Sequence, residues 1–322
     1  MKTGKMIMPL LLCLFCTGRT EPNFVEQHGS LAVNRTQLVD SKNEPVVLAG
    51  MSFGWHNWWP QFWNRDVVRI MRDDWKCNVL RAAMGIEHAD GFLEDPDSSA
   101  ALVKEVVDAC IKNGIYVIID WHDHHAHLHQ EKAVAFFEDM ARTYGDTPHV
   151  IYEIYNEPTA VDWKTVKAYS EAVISAIRAI DPDNLILVGS PHWSQDVHLA
   201  ADDPITGYPN LMYTLHFYAG THKAWLRERG DDAIQKGIPL FVTEFGACNA
   251  DGNGPNDMAE LKLWTDWMDR NRLSWCNWSI ADKNETCSVL KPRTSPRGPW
   301  TLEDLKESGL IARDLIHKRN AK

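Results

Sequence analysis

Positive charge is in short supply. The 322 residues carry 33 Lys and Arg against 44 Asp and Glu, a net charge of −11, with no basic run. A surface of that sign repels phosphate backbones, so nucleic acid is not an expected partner. The N-terminal apolar run, Met6–Cys16, has 11 residues, too few for the ~20 that a helix needs to cross a bilayer. Beyond the N-terminal apolar run, which holds Cys13 and Cys16, no Cys-x-x-Cys or Cys/His pair stands at zinc-finger spacing, and no Gly-x-Gly-x-x-Gly follows an early strand. No Pro/Gly/Ser linker, repeat or low-complexity segment divides the chain. A multi-span membrane protein is thereby excluded, a doubly wound open sheet remains the alternative fold without a motif to support it, and no tethered second module is expected within these 322 residues. What is present is ordinary globular composition, 44% hydrophobic and 24% charged. One residue type is in excess: 14 Trp outnumber the 8 Tyr and 10 Phe. Trp fills cores, but its flat apolar face also suits ligands, and position decides between the two.

The first residues read as an address. Met1–Lys5 holds two lysines, the apolar run follows, and Thr17 and Gly18 are small, the tripartite pattern of a secretory signal. Residues 1–20 are expected to be a signal peptide and 21–322 a single catalytic domain, extracellular and free of the membrane. Cleavage near Glu21 removes three basic residues and takes the net charge from −11 to −14. A buried N-terminal helix is the competing reading. Phe15 is too bulky for the residue before a lipidated Cys16. Beyond the signal remain Cys77, Cys110, Cys248, Cys276 and Cys287, an odd number for an oxidising compartment. Cys248 and Cys287 both follow predicted strands and are the pair placed to bridge, although spacing does not fix pairing. Sequons at Asn34 and Asn284 matter only in a glycosylating host.

The chain then alternates strand and helix about eight times. After a hairpin (Ser30–Val33 and Gln37–Val39) come apolar, β-branched or aromatic runs at Val46–Phe53, Asn78–Met84, Tyr116–His122, Val150–Glu157, Leu185–Pro191, Met212–Tyr218, Pro239–Gly246 and Leu273–Ile280. Such runs suit strands buried on both faces. Helical periodicity marks Ala101–Asn113, closed by Gly114, and Val161–Ile180 and Met258–Arg270. Only the segment between the fifth and sixth strands lacks a clear helix. The expected fold is α/β, a (β/α)8 TIM barrel with a short N-terminal β-hairpin.

In such a barrel the active site lies at the C-terminal ends of the strands, and polar residues collect there. The second strand carries Arg81, the third ends Asp120-Trp121-His122 and the fourth Asn156-Glu157-Pro158. The fifth leads to His192-Trp193, and the sixth ends His216-Phe217-Tyr218. The seventh ends Thr243-Glu244-Phe245, and Trp278 closes the eighth with Asp282-Lys283 beyond. A charge at a single strand end is usually a structural hydrogen bond; seven strands doing so together mark a polar cleft. Glu157 and Glu244, from strands four and seven, can face each other across the mouth. Paired carboxylates flanking a bond are the apparatus of glycoside hydrolysis: one protonated to donate, one ionised to attack. Arg81 and Tyr218 can hold one carboxylate charged while burial raises the other's pKa.

The segments NVLRAAMG, VIIDWH, IYNEP, LMYTLHFYAGTHK, FVTEFG and SWCNWSIADK, in this order, resemble glycoside hydrolase family 5, and within it the secreted endo-β-1,4-glucanases. The resemblance runs from about Gly29 to Leu290. It implies Glu157 as acid/base and Glu244 as nucleophile of a retaining hydrolysis of β-1,4-glucan, with no metal and no cofactor. Asn156 would meet the 2-hydroxyl of the −1 sugar, Arg81 and Tyr218 would position and ionise Glu244, and His216 would lie near Glu157. His122 would bind the −1 sugar over a Trp278 floor, Trp193 would stack on the leaving-group side, and Lys283 and Glu285 would contact the −2 sugar. The first loop, MSFGWHNWWPQFW, departs from the family's Ser-His-Gly segment. Of Trp55, Trp58, Trp59 and Trp63 at most two or three can face sugar in the −2 and −3 subsites, and Trp58 is the first choice. His56 does not match the family's histidine there. A monomer is expected, and the choice among cellulose, mixed-linkage glucan, xyloglucan and mannan is left open.

Two other readings compete. His122, His124, His125, His127 and His129 suggest a metal-dependent barrel hydrolase, with His192, His216 and Asp282 as further ligands. A barrel that binds glucan without cutting it is the other, disfavoured because both glutamates are present.

Overall fold

The computed structural model describes residues 22–321, so the expected signal peptide lies outside the described residues. A short helix α1 (Phe24–His28) and a hairpin, β1 (Ala32–Asn34) and β2 (Gln37–Val39), lead into eight parallel strands. These are β3 (Ala49–Phe53), β4 (Val79–Gly85), β5 (Tyr116–His122), β6 (Val150–Glu153), β7 (Ile186–Val188), β8 (Leu211–Tyr218), β9 (Leu240–Gly246) and β10 (Trp275–Ile280). They close into a barrel by pairing β10 with β3, Trp275 opposite Ala49. Between successive strands run α2 (Arg65–Asp73), α3 (Pro96–Asn113), α4 (Gln130–Tyr144), α5 (Trp163–Arg178), the short pair α6 (Pro191–Ser194) and α7 (Val197–Asp202), α8 (Ala224–Gln235) and α9 (Met258–Asn271). Helix α10 (Glu307–Asn320) ends the chain. The expected (β/α)8 barrel with its hairpin is therefore present. The weak segment between the fifth and sixth strands holds only α6 and α7. No helix among the described residues is long and apolar enough to cross a membrane.

Boundaries differ where local chemistry overrides periodicity. Helix α3 begins at Pro96, five residues before the apolar pattern, because Asp95 accepts from Ser98 N and Pro96 fits the first turn. Gly114 ends it in the left-handed region at φ +64, where a Cβ would also strike Asn23. The fourth strand stops at Glu153, not Glu157, and the seven-residue run expected for the fifth, Leu185–Pro191, shrinks to Ile186–Val188 because Pro191 opens α6. The first arm of the hairpin shifts to Ala32–Asn34.

Side chains inside the barrel alternate with those packed under the helices. Val79, Ile118, Ile151, Leu187, Met212, Phe241 and Cys276 fill the lower interior with Leu48, and α1 and the hairpin plug it with Val25, Leu31 and Leu38. Their neighbours in sequence, such as Leu80, Ile119, Tyr152, Val242 and Phe245, pack outward in a second, larger cluster. Both ends of the described chain lie at this lower end. Val25 N donates to Gly114 O and Tyr116 Oη to Gly29 O, while Asn320 Nδ2 donates to the carbonyls of Ala49 and Lys76.

The five cysteines of the described residues are free and buried. Cys248 and Cys287, the pair placed to bridge, are both thiols of one small buried cluster, Cys248 Sγ donating to Asn249 O (3.5 Å) and Cys287 Sγ to Glu285 Oε1 (3.3 Å). Most of the Trp excess is core: Trp63, Trp75, Trp121, Trp264 and Trp267 are fully buried.

Candidate active site

Two residues further up each strand the interior turns polar. Arg81, wholly buried, projects from β4 and spends its guanidinium on acids: Nε to Glu153 Oε2 (2.7 Å), Nη2 to Glu153 Oε1 (3.2 Å) and Asp120 Oδ2 (3.0 Å), Nη1 to Glu244 Oε2 (3.0 Å). Nη2 also reaches Asn156 Oδ1 at 2.6 Å. A buried cation survives only with such pairing. Burial works to raise Glu153, but Arg81 and His216 outweigh it and hold its carboxyl low. Arg81 therefore positions acids, Glu244 among them as expected.

Strict alternation would turn Glu244 away from the mouth, since Phe241 and Thr243 already point inward. A bulge prevents this. Between Thr214↔Phe241 and His216↔Glu244, β8 advances two residues and β9 three, and β10 shows the same extra residue between Val242 and Phe245. The bulge re-aims one side chain, so Thr243 and Glu244 both face the interior. Tyr218 Oη donates to Glu244 Oε1 at 2.7 Å.

Glu157 stands opposite, in the irregular chain after β6, which stays tied to the end of the preceding strand, β5, through Asn156 N to Trp121 O and Glu157 N to Asp123 O. Its partners are imidazoles: His216 Nδ1 at 2.9 Å and His124 Nε2 at 3.3 Å. Thr243 Oγ1 donates to Glu153 Oε1 at 2.7 Å, so His216 Nε2, 2.8 Å from the same hydroxyl, is a donor. One oxygen of Glu157, one of Glu244 and one nitrogen of His216 lie within 4.8 Å of one another. Burial would raise Glu157, yet its bonds to His124 and His216 bring it down to about 2. Burial likewise opposes the charge on His216, and Glu153 and Glu157 overcome it, lifting His216 to about 9. Glu244 is raised by burial and by the charge on Glu157, against His216, Arg81 and Tyr218. In the free site the proton thus rests on the His216 side of the His216–Glu157 bond, the reverse of the bias expected from Arg81, Tyr218 and burial alone.

The remaining expected residues divide into two groups around this pair. On one side a cleft of about 190 Å³ is lined by Trp55, Trp58, Trp59, His122, Trp278, Lys283 and Glu285 with both glutamates. His122 gives Nδ1 to Asp120 Oδ2 (2.6 Å), lies parallel to Trp278 at 5.3 Å, and is held neutral by burial and Arg81. Trp58 is 45% exposed and stacked on Trp55 at 4.7 Å; Lys283 Nζ pairs with Glu285 Oε2 at 2.5 Å. On the other side about 570 Å³ is bounded by Trp193, His192, Gln195, His222, His216 and the glutamates. Trp193 is 43% exposed there, on a backbone where His192, Trp193 and Ser194 all take positive φ.

Other residues of these loops lie off the cleft. Trp63 lies in the core with its indole N–H on Gly54 O, so it lines no subsite. His56 is buried between Ser99 Oγ and Gly85 N, away from the cleft. The histidines after His122 are not a merely exposed loop: His124 reaches Glu157 and His127 meets Tyr155 Oη at 2.9 Å. His192 and Asp282 join neither of the metal-capable groups found among the described residues. Sequence reasoning missed Glu153 and His124. Glu153 was readable as a charge in the middle of the apolar run Val150–Glu157; His124 carried no signal beyond its place in the histidine cluster. Asn156 Nδ2 is buried without a protein partner.

Residues 39–284 match the family profile described as Cellulase (glycosyl hydrolase family 5). The chain is similar to Endoglucanase Z of Dickeya dadantii, 48% identical over 290 residues, which are 89% of this chain and 66% of that protein. It is similar to a solved structure from Cytophaga hutchinsonii, with a TM-score of 0.92 and 49% identity over 93% of this chain and 98% of that one. Another is the catalytic domain of Thermobifida fusca endoglucanase Cel5A in complex with cellotetraose: TM-score 0.87, 32% identity, 91% and 99% covered. The chain spans 58% to 73% of the length of five curated endoglucanases.

Proposed function

This chain belongs to glycosyl hydrolase family 5, and from that premise we propose that it is a retaining endo-β-1,4-glucanase acting on cellulose-type glucans. The observation that carries the mechanism is the contrast between the partners of its two carboxylates. Glu244 is held by a guanidinium and a phenol, neither of which exchanges a proton at neutral pH. Glu157 is held by two imidazoles, which do. Glu244 is therefore the nucleophile and Glu157 the acid/base. Moving one proton along the 2.9 Å bond from His216 Nδ1 to Glu157 Oε1 readies the acid without uptake from solvent.

Glu244 then attacks the anomeric carbon as Glu157 protonates the leaving oxygen. Water, deprotonated by Glu157, later cleaves the glycosyl ester. An approach within 4.8 Å accords with the ~5–5.5 Å of retaining pairs and not the ~6.5–9.5 Å of inverting ones. Asn156 Nδ2, buried and unpartnered, is free to donate to the 2-hydroxyl of the −1 sugar. Trp278 would underlie that sugar, Trp58 would carry the sugars beyond it, Lys283 and Glu285 would grip their hydroxyls, and Trp193 would receive the leaving chain. Flat C–H faces suit these indoles. No step needs a metal or cofactor.

The test is viscosity loss and reducing-end release on carboxymethylcellulose, with β-mannan in parallel and EDTA present in one series. Rapid thinning of the cellulose derivative, unaffected by chelation, is expected. Faster cleavage of mannan would overturn the substrate; loss of activity in EDTA, restored by Zn²⁺, would overturn the mechanism. The basic-then-apolar start of the chain supports export, and the N-terminal sequence of protein recovered from culture medium tests it.

A further inference from the structure

The histidine-rich loop after β5 gives the cleft only part of itself. His122 and His124 face the glutamates; His125 and His129 turn the other way and meet Glu87 from the loop after β4. His125 Nδ1 lies 2.9 Å from Glu87 Oε2 and His129 Nε2 3.2 Å from Glu87 Oε1. An oxygen of Glu87, an oxygen of Asp123 and a nitrogen of His129 lie within 4.8 Å of one another. Asp123 is buried, facing no cationic side chain but these imidazoles; it accepts from His125 N (2.8 Å) and at long range from Trp121 Nε1 (3.3 Å).

His125 Nε2 lies 3.3 Å from Thr159 Oγ1, which orients the ring with Nδ1 toward Glu87. Orientation of a ligating imidazole through its other nitrogen is a regular feature of metal sites. Bonds of ~2.0–2.1 Å in a tetrahedron place neighbouring ligand atoms ~3.3 Å apart. Glu87 already stands near that spacing from both imidazoles, and Asp123, within 4.8 Å of Glu87 and His129, has to draw in to complete the set. Two imidazoles with two carboxylates form a donor set of borderline softness, suited to zinc rather than to calcium or magnesium.

We propose that Glu87, Asp123, His125 and His129 form a Zn²⁺ site apart from the catalytic pair, stapling the loop after β4 to the loop after β5. The staple would brace both walls of the cleft. His88, next to Glu87, packs on Trp55 at 5.1 Å and Trp58 at 4.9 Å, and His124, next to His125, bonds Glu157. The ion touches no sugar, and turnover proceeds in EDTA.

The test is calorimetric titration of the untagged protein with ZnCl₂, with thermal melts alongside. One equivalent bound and a raised Tm are expected for the wild type. Both should persist in Glu244→Gln, which disables the other metal-capable group, Glu157, His216 and Glu244. Both should vanish in His129→Ala and in Glu87→Gln, whose part-exposed side chain is removable without disturbing the core. Thr159→Val should bind roughly 10-fold more weakly. Binding that survives both ligand variants, binding lost in Glu244→Gln, or no binding in excess Zn²⁺ would each overturn the site.

Discussion

The barrel interior has two regions built on the same strands. The lower layer is Val79, Ile118, Ile151, Leu187, Met212 and Phe241, closed by α1 and the hairpin. The upper layer, two residues on, is Arg81, Asp120, Glu153, Thr214 and Thr243. Below, stability comes from apolar area removed from water. Above, one guanidinium offsets several buried carboxylates, and the neutral alternative would fold as well. The upper layer is thus a cost in stability accepted for chemistry, and the lower layer supplies the rigid footing that fixes its distances.

Substitutions in the two layers should separate these roles. The largest effect is expected from Glu244→Gln, which should lower kcat by about 10⁴-fold or more while leaving cellotetraose binding intact by calorimetry; substantial residual turnover would remove Glu244 as nucleophile. Arg81→Met should damage both properties, since it strands Glu153 and frees Glu244. A stability loss of about 3–5 kcal/mol with a fallen kcat is the expected pair of readings in denaturant unfolding and steady-state assays. Ile118→Ala sharpens the contrast. It should cost about 2–5 kcal/mol through the cavity it leaves, yet keep kcat/KM at 25 °C, and a selective loss of activity would deny the division of labour.

A pH profile probes the proton that His216 and Glu157 share. Below about 9 the imidazole retains it, so kcat/KM should fall as pH rises through that value. His216→Gln removes the proton store and should move this alkaline limb to lower pH; an unmoved limb would assign it to another group. The smallest effect belongs to Trp58→Ala, expected to raise KM for long oligosaccharides by about 2- to 10-fold at unchanged kcat, since one stacking contact is worth about 0.5–1.5 kcal/mol.

Much of this was readable before the fold was seen. Eight apolar runs separated by helical patterns gave the barrel, and the polar residues ending those runs gave the cleft. The bulge in β9 was not readable: nothing in FVTEFG announces an extra residue, because its cause is register with two neighbouring strands. Arg81 was found as a partner of Glu244 but its bonds to Glu153 and Asp120 were not, since a sequence shows a charge and not all the acids that enclose it. Trp63 and Trp58 lie five positions apart in the same aromatic loop, and only packing turns one into Gly54 and the other into solvent. Glu157 lies past the regular end of β6, so its direction rests on two backbone hydrogen bonds to the neighbouring chain.

Both described ends of the chain are fastened beneath the strands, Val25 to Gly114 at one end and Asn320 to Ala49 at the other, while the cleft opens at the opposite face. A bead, a surface or a fused cargo attached through either end would therefore hold the molecule with its mouth pointing outward. Immobilised preparations should reach insoluble polysaccharide as freely as the protein in solution, whichever terminus carries the tether.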